Sequence, residues 1–156
     1  MNLVLQKDIA ALGQLVRLSA HSTATAGGAG DATTVTGVSV DRFSLGAGSM
    51  PQDAAVGVIF DATLASGATL RFGYAIQDSA DNSVWADYQT ATYATAATGP
   101  NGGGAVAGVF DIGSVSLSSA RRFIRVNYMP DLSAGATDTA LARAVGFFAG
   151  FDHLPN

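Results

Sequence analysis

Two runs of alternating residues constrain this chain more than anything else in it. Across 56–64, Val56, Val58, Phe60, Ala62 and Leu64 fall at every second position, and across 70–76 Leu70, Phe72, Tyr74 and Ile76 resume the pattern after Ala65, Ser66 and Gly67. A period of two puts these side chains on one face of an extended strand, with the core on that side and solvent on the other. The short gap between the runs predicts a β-hairpin, and the stretch 56–88 reads as the centre of the fold. Asp78, Ser79, Ala80, Asp81, Asn82 and Ser83 then form a polar turn, because Asp, Asn and Ser side chains bond nearby backbone. The only tryptophan, Trp85, follows it.

The rest of the chain reads in the same terms. Residues 35–40 alternate as the first strand of the main body, and a loop through Gly46, Gly48 and Pro51 leads into the central hairpin. Residues 85–93 make a further strand. Pro100 and the glycines of 98–104 suit neither helix nor strand and predict an exposed loop. Beyond it 106–117 is extended, and 122–128 sets Ile124, Val126 and Tyr128 against Arg125 and Asn127 on opposite faces, with Pro130 as its end. In 141–151 the glycines Gly146 and Gly150 favour strand over helix. Seven to nine short strands suit an all-β, two-layer β-sandwich.

The N-terminus is less determined. Leu5, Ile9, Leu12 and Val16 recur at helical spacing across 3–18, although Gly13 interrupts them, and Leu15 to Leu18 serve equally well as a strand. Residues 19–34 are small and polar and read as a flexible link. The expected organisation is thus an N-terminal arm or short helix with its link over 1–30, and a sandwich domain over 31–156.

Composition narrows the function. There are twelve Asp and no Glu, seven Arg and one Lys; exposed helix faces favour Glu and Lys, so this balance speaks against a helical domain. With no Cys, disulfides, thiol catalysis and Cys-ligated zinc are excluded. A net charge of −4 provides no surplus of cations for nucleic acid. No 18-residue apolar run predicts a transmembrane helix. The apolar start at Leu3, Val4 and Leu5 is broken by Lys7 and Asp8, unlike a secretory signal. Neither nucleic acid nor a membrane is expected as a partner.

No catalytic constellation emerges, and the expectation is a protein that is not an enzyme. Gly37-Val38-Ser39-Val40-Asp41 only half matches a nucleophile elbow and lies in a strand pattern. His21 and His153 stand apart, and the Asp residues sit beside Gly, Ser or Asn, where turn formation accounts for them. The 78–83 segment lacks the spacing, central Gly and terminal Glu of a calcium loop. No cofactor or metal site is expected. Arg121, Arg122 and Arg125 form the one basic cluster, with Arg121 and Arg125 on one face of a strand, where they meet either this chain's own Asp residues or a partner's acids.

Several phrases are familiar as a set. Asp31 to Gly37, Ala62 to Leu70, Ile76 to Asp87 (Ile-Gln-Asp-Ser-Ala-Asp-Asn-Ser-Val-Trp-Ala-Asp) and Ser118 to Val126 together resemble small structural proteins of tailed bacteriophages, nearest to the capsid cement or decoration proteins. The resemblance implies a jelly-roll-like sandwich that binds the virion's capsid exterior as a dimer or trimer after synthesis in the host cytoplasm. Its partners would be the major capsid protein and itself. Leu3, Leu5, Ile9, Leu12 and Val16 of the N-terminal segment and Arg121 and Arg125 are the candidate partner-binding residues. Two alternatives stand beside this: a phage tail or receptor-binding component, and a carbohydrate-binding module stacking sugars on Trp85, Tyr88 and Tyr93.

Overall fold

The structure, a computed structural model, describes residues 12–46, 49–133 and 137–151. Nine strands and one short helix follow in order among these residues: β1 (Gly13–Arg17), β2 (Ser22–Thr25), β3 (Val40–Asp41), α1 (Arg42–Leu45), β4 (Asp53–Leu64), β5 (Thr69–Ser79), β6 (Ala86–Thr98), β7 (Gly104–Ser116), β8 (Phe123–Leu132) and β9 (Thr139–Ala149). One sheet runs β1-β9-β4-β7, with β2 also paired to β9, and the other runs β3-β8-β5-β6. Every strand pair is antiparallel. The protein is therefore an all-β sandwich, and this strand order is that of a double-sheet jelly roll.

The alternation read from the sequence sets the inner face of each sheet. Val56, Val58, Phe60 and Leu64 of β4 and Ala142, Ala144 and Phe148 of β9 are buried from one side, and Leu70, Phe72, Ile76, Ile124, Val126 and Tyr128 from the other. Phe72 is the hub. Its ring centroid lies 6.0 Å from Phe60, 5.5 Å from Phe110 and 6.0 Å from Tyr128, so residues of both sheets meet on one aromatic. The Tyr128 hydroxyl donates to the Ala142 carbonyl at 2.9 Å, giving the one polar atom of that ring a partner in the opposite layer.

The expected hairpin over 56–76 is not formed. β4 and β5 lie in opposite sheets and face each other through Phe60 and Phe72. Period two reports which face is buried, and a hairpin and a crossing between layers give the same pattern. The hairpin of this region is β5–β6, closed by the polar turn after Ser79. Residues 98–104 are likewise not simply exposed. Gly99 is buried; a Cβ there would sit 1.9 Å from the Ala65 carbonyl oxygen. Its amide donates to Ala68 O at 2.7 Å, and Gly67 N donates to Gly99 O at 3.2 Å, joining two sheet-crossing loops.

Three further expectations change. Residues 35–39 do not form a strand, and only Val40 enters β3: Val35 makes one bridge to Tyr128, Gly37 N donates to the Asn127 side chain and Val38 N to Leu18 O, so successive donors go to different elements. Pro130 does not end β8, which continues to Leu132. Its missing N–H faces the side where Ala32 N donates to its carbonyl, an edge position that tolerates proline. Residues 19–34, expected as a link, contain β2, with Ala24 and Ala26 buried and Ser19 Oγ accepting from Ala144 N at 2.8 Å. Within 3–18, residues 13–17 take the extended alternative as β1. Gly13 is needed there, since a Cβ would lie 2.5 Å from the Phe147 ring and the Phe148 carbonyl. The part of this segment before Leu12 lies outside the described residues.

Arg42 is the largest fully buried side chain among the described residues. Its guanidinium donates to the carbonyls of Ala120 (2.6 Å), Arg121 (3.1 Å), Pro51 (2.5 Å) and Leu117 (2.8 Å). Burial pushes its pKa down, yet an arginine keeps its proton at neutral pH. It ties the β7–β8 crossing to the segment entering β4. Replacing Arg42 with Met, which fills the volume and leaves those carbonyls unpaired, should cost about 3 kcal/mol or more in urea unfolding. Phe72→Ala should cost about 3–5 kcal/mol.

Candidate interaction surface

One end of the sandwich gathers the chain's unusual surface chemistry. The β5–β6 turn is held by Asp81, whose carboxylate accepts from the amides of Ser83 and Val84, each at 3.0 Å, and from Ser79 Oγ at 3.0 Å. The Val84 amide first, then that of Ser83, holds this carboxyl well below the usual range. The turn so fixed presents Val84, which is 68% exposed. Ser39 donates to the Asn82 side chain and ties the segment before β3 to the turn. Asp41 caps α1 by accepting from Phe43 N at 3.1 Å, and the cap turns Phe43 outward at 48% exposure.

Three arginines are threaded through this patch. Arg122 forks onto Asp41, with Nε and one terminal nitrogen 2.9 and 2.6 Å from the two carboxylate oxygens. Its guanidinium carbon also lies 5.7 Å from the Phe43 ring and 5.0 Å from the Phe123 ring. Arg125 stacks on Trp85, 4.3 Å from the ring centroid, while its Nε donates to Gln77 Oε1 at 2.8 Å. Arg121 grips Asp78 through its side chain at 2.9 and 2.5 Å and through its backbone amide at 2.8 Å. Burial raises the Asp78 pKa, but the hydrogen bonds from Arg121 together outweigh it and leave the carboxyl below its ordinary value; Asp41 is lowered first by its bond to Arg122. The result is a surface of apolar and aromatic groups interleaved with arginines already oriented by internal partners.

The candidate residues read from the sequence do not all converge here. Arg121 and Arg125 do, although Arg121 is held by Asp78 and Arg122, not singled out, is the more exposed. Leu12 is half-buried, and Val16 in β1 packs against the core. Leu3, Leu5 and Ile9, like His153, lie outside the described residues. Exposed Phe43 and Val84 are not distinguished by the sequence, because they come from separate segments and no local pattern shows that either side chain faces outward. The proposed sugar-stacking aromatics do not share a face. Tyr88 packs on the core with its hydroxyl donating to Ser116 O at 2.6 Å, whereas Tyr93 lines a groove of about 480 Å3 on the outer side of the four-stranded sheet, and Trp85 is capped by Arg125. His21 is exposed, 3.1 Å from the Arg143 guanidinium. Among the described residues, no three His, Cys, Asp or Glu side chains are placed to hold a metal ion.

No protein-family model matches this chain, and no curated protein does. Solved structures similar to it include that of the infectious bursal disease virus Gx strain, at 13% identity and TM-score 0.42 over 91% of this chain and 34% of that one. The Gt strain structure gives 13% identity and TM-score 0.42 over 88% and 33%, and the VP2 subviral particle of the same virus 10% and 0.39 over 88% and 32%. The chain spans about a third of the length of these matches, and likeness at this level carries no functional argument.

The ion pairs give a pH dependence of definite sign. Asp41 and Asp78 have folded-state pKa values below the ordinary 3.8. Their stabilisation is complete above the unfolded-state value and is lost as pH falls through the lower folded values. The melting temperature should therefore fall as the pH drops below about 4. Asp41→Asn and Asp78→Asn should be less stable at neutral pH and show a shallower acid limb by calorimetry.

Proposed function

We propose that this protein is a virion structural protein that binds the outer surface of a phage capsid and stabilises contacts between major capsid subunits. The sequence phrases that resemble capsid cement and decoration proteins support this reading. So does the jelly-roll sandwich, although a fold alone assigns no function. The observation that carries it is the end patch of Phe43, Val84 and Trp85 with Arg122 and Arg125. Exposed apolar groups gathered beside Trp and Arg have the composition of protein-binding hot spots rather than of a reaction site. Arginines held by Asp41 and Gln77 lose little further freedom on docking, which lowers the entropic cost of binding.

Many copies around one shell would act multivalently, so each contact needs only modest strength. The N-terminal segment is the second element of this reading. Residues 1–11 join the domain at β1, an edge strand of the five-stranded sheet, and carry Leu3, Leu5 and Ile9 as candidate anchors on a neighbouring subunit.

Trp85→Ala and Arg122→Ala should each weaken binding to preformed shells that lack the protein by about tenfold or more in co-sedimentation, the first with a melting temperature near the parent's and the second with one no lower than that of Asp41→Asn, which loses the same ion pair. Deletion of residues 1–11, which spares β1 and the buried Leu18, should also weaken it. Parent-like binding by all three would sink the reading, as would electron microscopy placing labelled protein on the tail.

A further inference from the structure

The outer side of the five-stranded sheet is patterned in a way the proposed function does not use. Register aligns its outward residues in rows across β1, β9, β4 and β7: Leu15, Phe147, Ala55 and Ser114 in one, and Arg17, Val145, Gly57 and Asp111 in the next. Arg143, Ile59 and Val109 form the following row, then Leu141, Asp61 and Ala107. Leu15 is 76% and Val109 60% exposed, and a trough of about 230 Å3 runs between them past Val145 and Phe147. Large side chains stand on the β1–β9 half, and in the first two rows their row-mates on β4 and β7 are Ala55, Ser114, Gly57 and Asp111; Ile59 and Val109 in the third row are the large exceptions. Charge divides the same way. Arg17 and Arg143 are on β1 and β9, while Asp61 and Asp111 are on β4 and β7, and none of the four is in an ion pair among the described residues.

We propose that a second copy of this chain packs on this face, sheet to sheet, about a two-fold axis running along the strands between β9 and β4. Such an axis exchanges β1 with β7 and β9 with β4. Leu15 then meets Ser114 of the second copy, Phe147 meets Ala55, Val145 meets Gly57 and Arg17 meets Asp111. In these two rows each large residue faces a small one and the cation faces an anion, as a self-complementary interface requires, while in the next two Arg143 meets Ile59 and Leu141 meets Asp61. Sheets that pack aligned leave one other orientation, an axis across the strands. That arrangement lays β1 on β1 and β9 on β9, and it stacks arginine half on arginine half and aspartate half on aspartate half. Charge segregation by strand selects the first.

The size is sufficient. β4 and β9 pair from Asp53 to Thr63, a length of about 37 Å, and four strands span about 19 Å. Each copy thus offers roughly 700 Å2, and the pair roughly 1,400 Å2, within the range of about 1,200–2,000 Å2 for stable interfaces. This pairing stands independently of the capsid reading, and its test uses the purified chain without shells.

The chain's lack of cysteine makes cross-linking clean. Leu15 and Ser114 lie three strand spacings apart within one copy, about 14 Å, too far for an intrachain disulfide. The Leu15→Cys/Ser114→Cys variant should give a reducible covalent dimer on mild oxidation, and neither single variant should. By sedimentation the parent should dimerise at micromolar concentration, and Arg17→Asp, with an unchanged melting temperature, should dimerise about tenfold more weakly. A chain that stays monomeric overturns the proposal, and so does a dimer cross-linked by Leu15→Cys alone, which would mark the axis across the strands.

Discussion

A jelly roll must hydrogen-bond the backbone of its crossings, and this requirement organises the molecule. From β2 onward only the β5–β6 connection stays within one sheet, so nearly every turn leaves amides and carbonyls beyond the ladders. Short carboxylates take the amides. Asp138 accepts from Ala65 N, Asp31 from Gly27 N and Leu132 N, Asp78 from Arg121 N, Asp111 from Gly113 N and Asp81 from two amides of its turn. Arg42 takes four carbonyls. A chain with twelve Asp and no Glu has a physical reason in this pattern, because one methylene fewer keeps the carboxylate within reach of local backbone.

The same contacts build the surface. Asp41 caps α1 and orients Arg122; Asp78 holds both the amide and the guanidinium of Arg121 beside the β5–β6 turn; Asp81 fixes the turn that carries Val84. Interactions that satisfy the fold therefore also hold the proposed binding groups in place. Behind them Arg42 anchors the loop through Leu117, Ala120 and Arg121, and the exposed patch rests on a buried, charge-assisted network. The two ends of the proposed activity differ in kind: an arginine–aromatic patch for a foreign partner, and a broad sheet face whose two halves complement each other.

Much of this was legible in the residues, and the losses have definite causes. Strand content, the inward faces of β4, β5 and β8 and the polar turn after Ser79 follow from period-two alternation and Asx chemistry; in β9 the inward face is that of Ala140, Ala142, Ala144 and Phe148, which the apolar alternation of 145–151 does not single out. The 35–40 segment and the 19–34 segment were misread because small residues signal neither pairing nor its absence; Ala24 and Ala26 are buried only because β9 and Asp138 O lie beside them. Of the site, the basic cluster was visible as Arg121, Arg122 and Arg125. Its partners Phe43 and Trp85 come from distant segments, and no local pattern connects them.

The sequence by itself determined that this is a β-sandwich, which side chains of β4, β5 and β8 turn inward and that the chain turns after Leu64 and after Ser79, since those follow from side-chain alternation and from residues that favour turns. Only the tertiary structure decided which strands are neighbours. The run from β4 into β5 illustrates why: its alternation is equally satisfied by a hairpin in one sheet or by two strands facing across the core. The choice lies in long-range packing of Phe60 on Phe72 and in the joined loops at Ala65 and Gly99. The rows on the outer face of the five-stranded sheet exist for the same reason, because Leu15, Phe147, Ala55 and Ser114 become neighbours only when β1, β9, β4 and β7 pair.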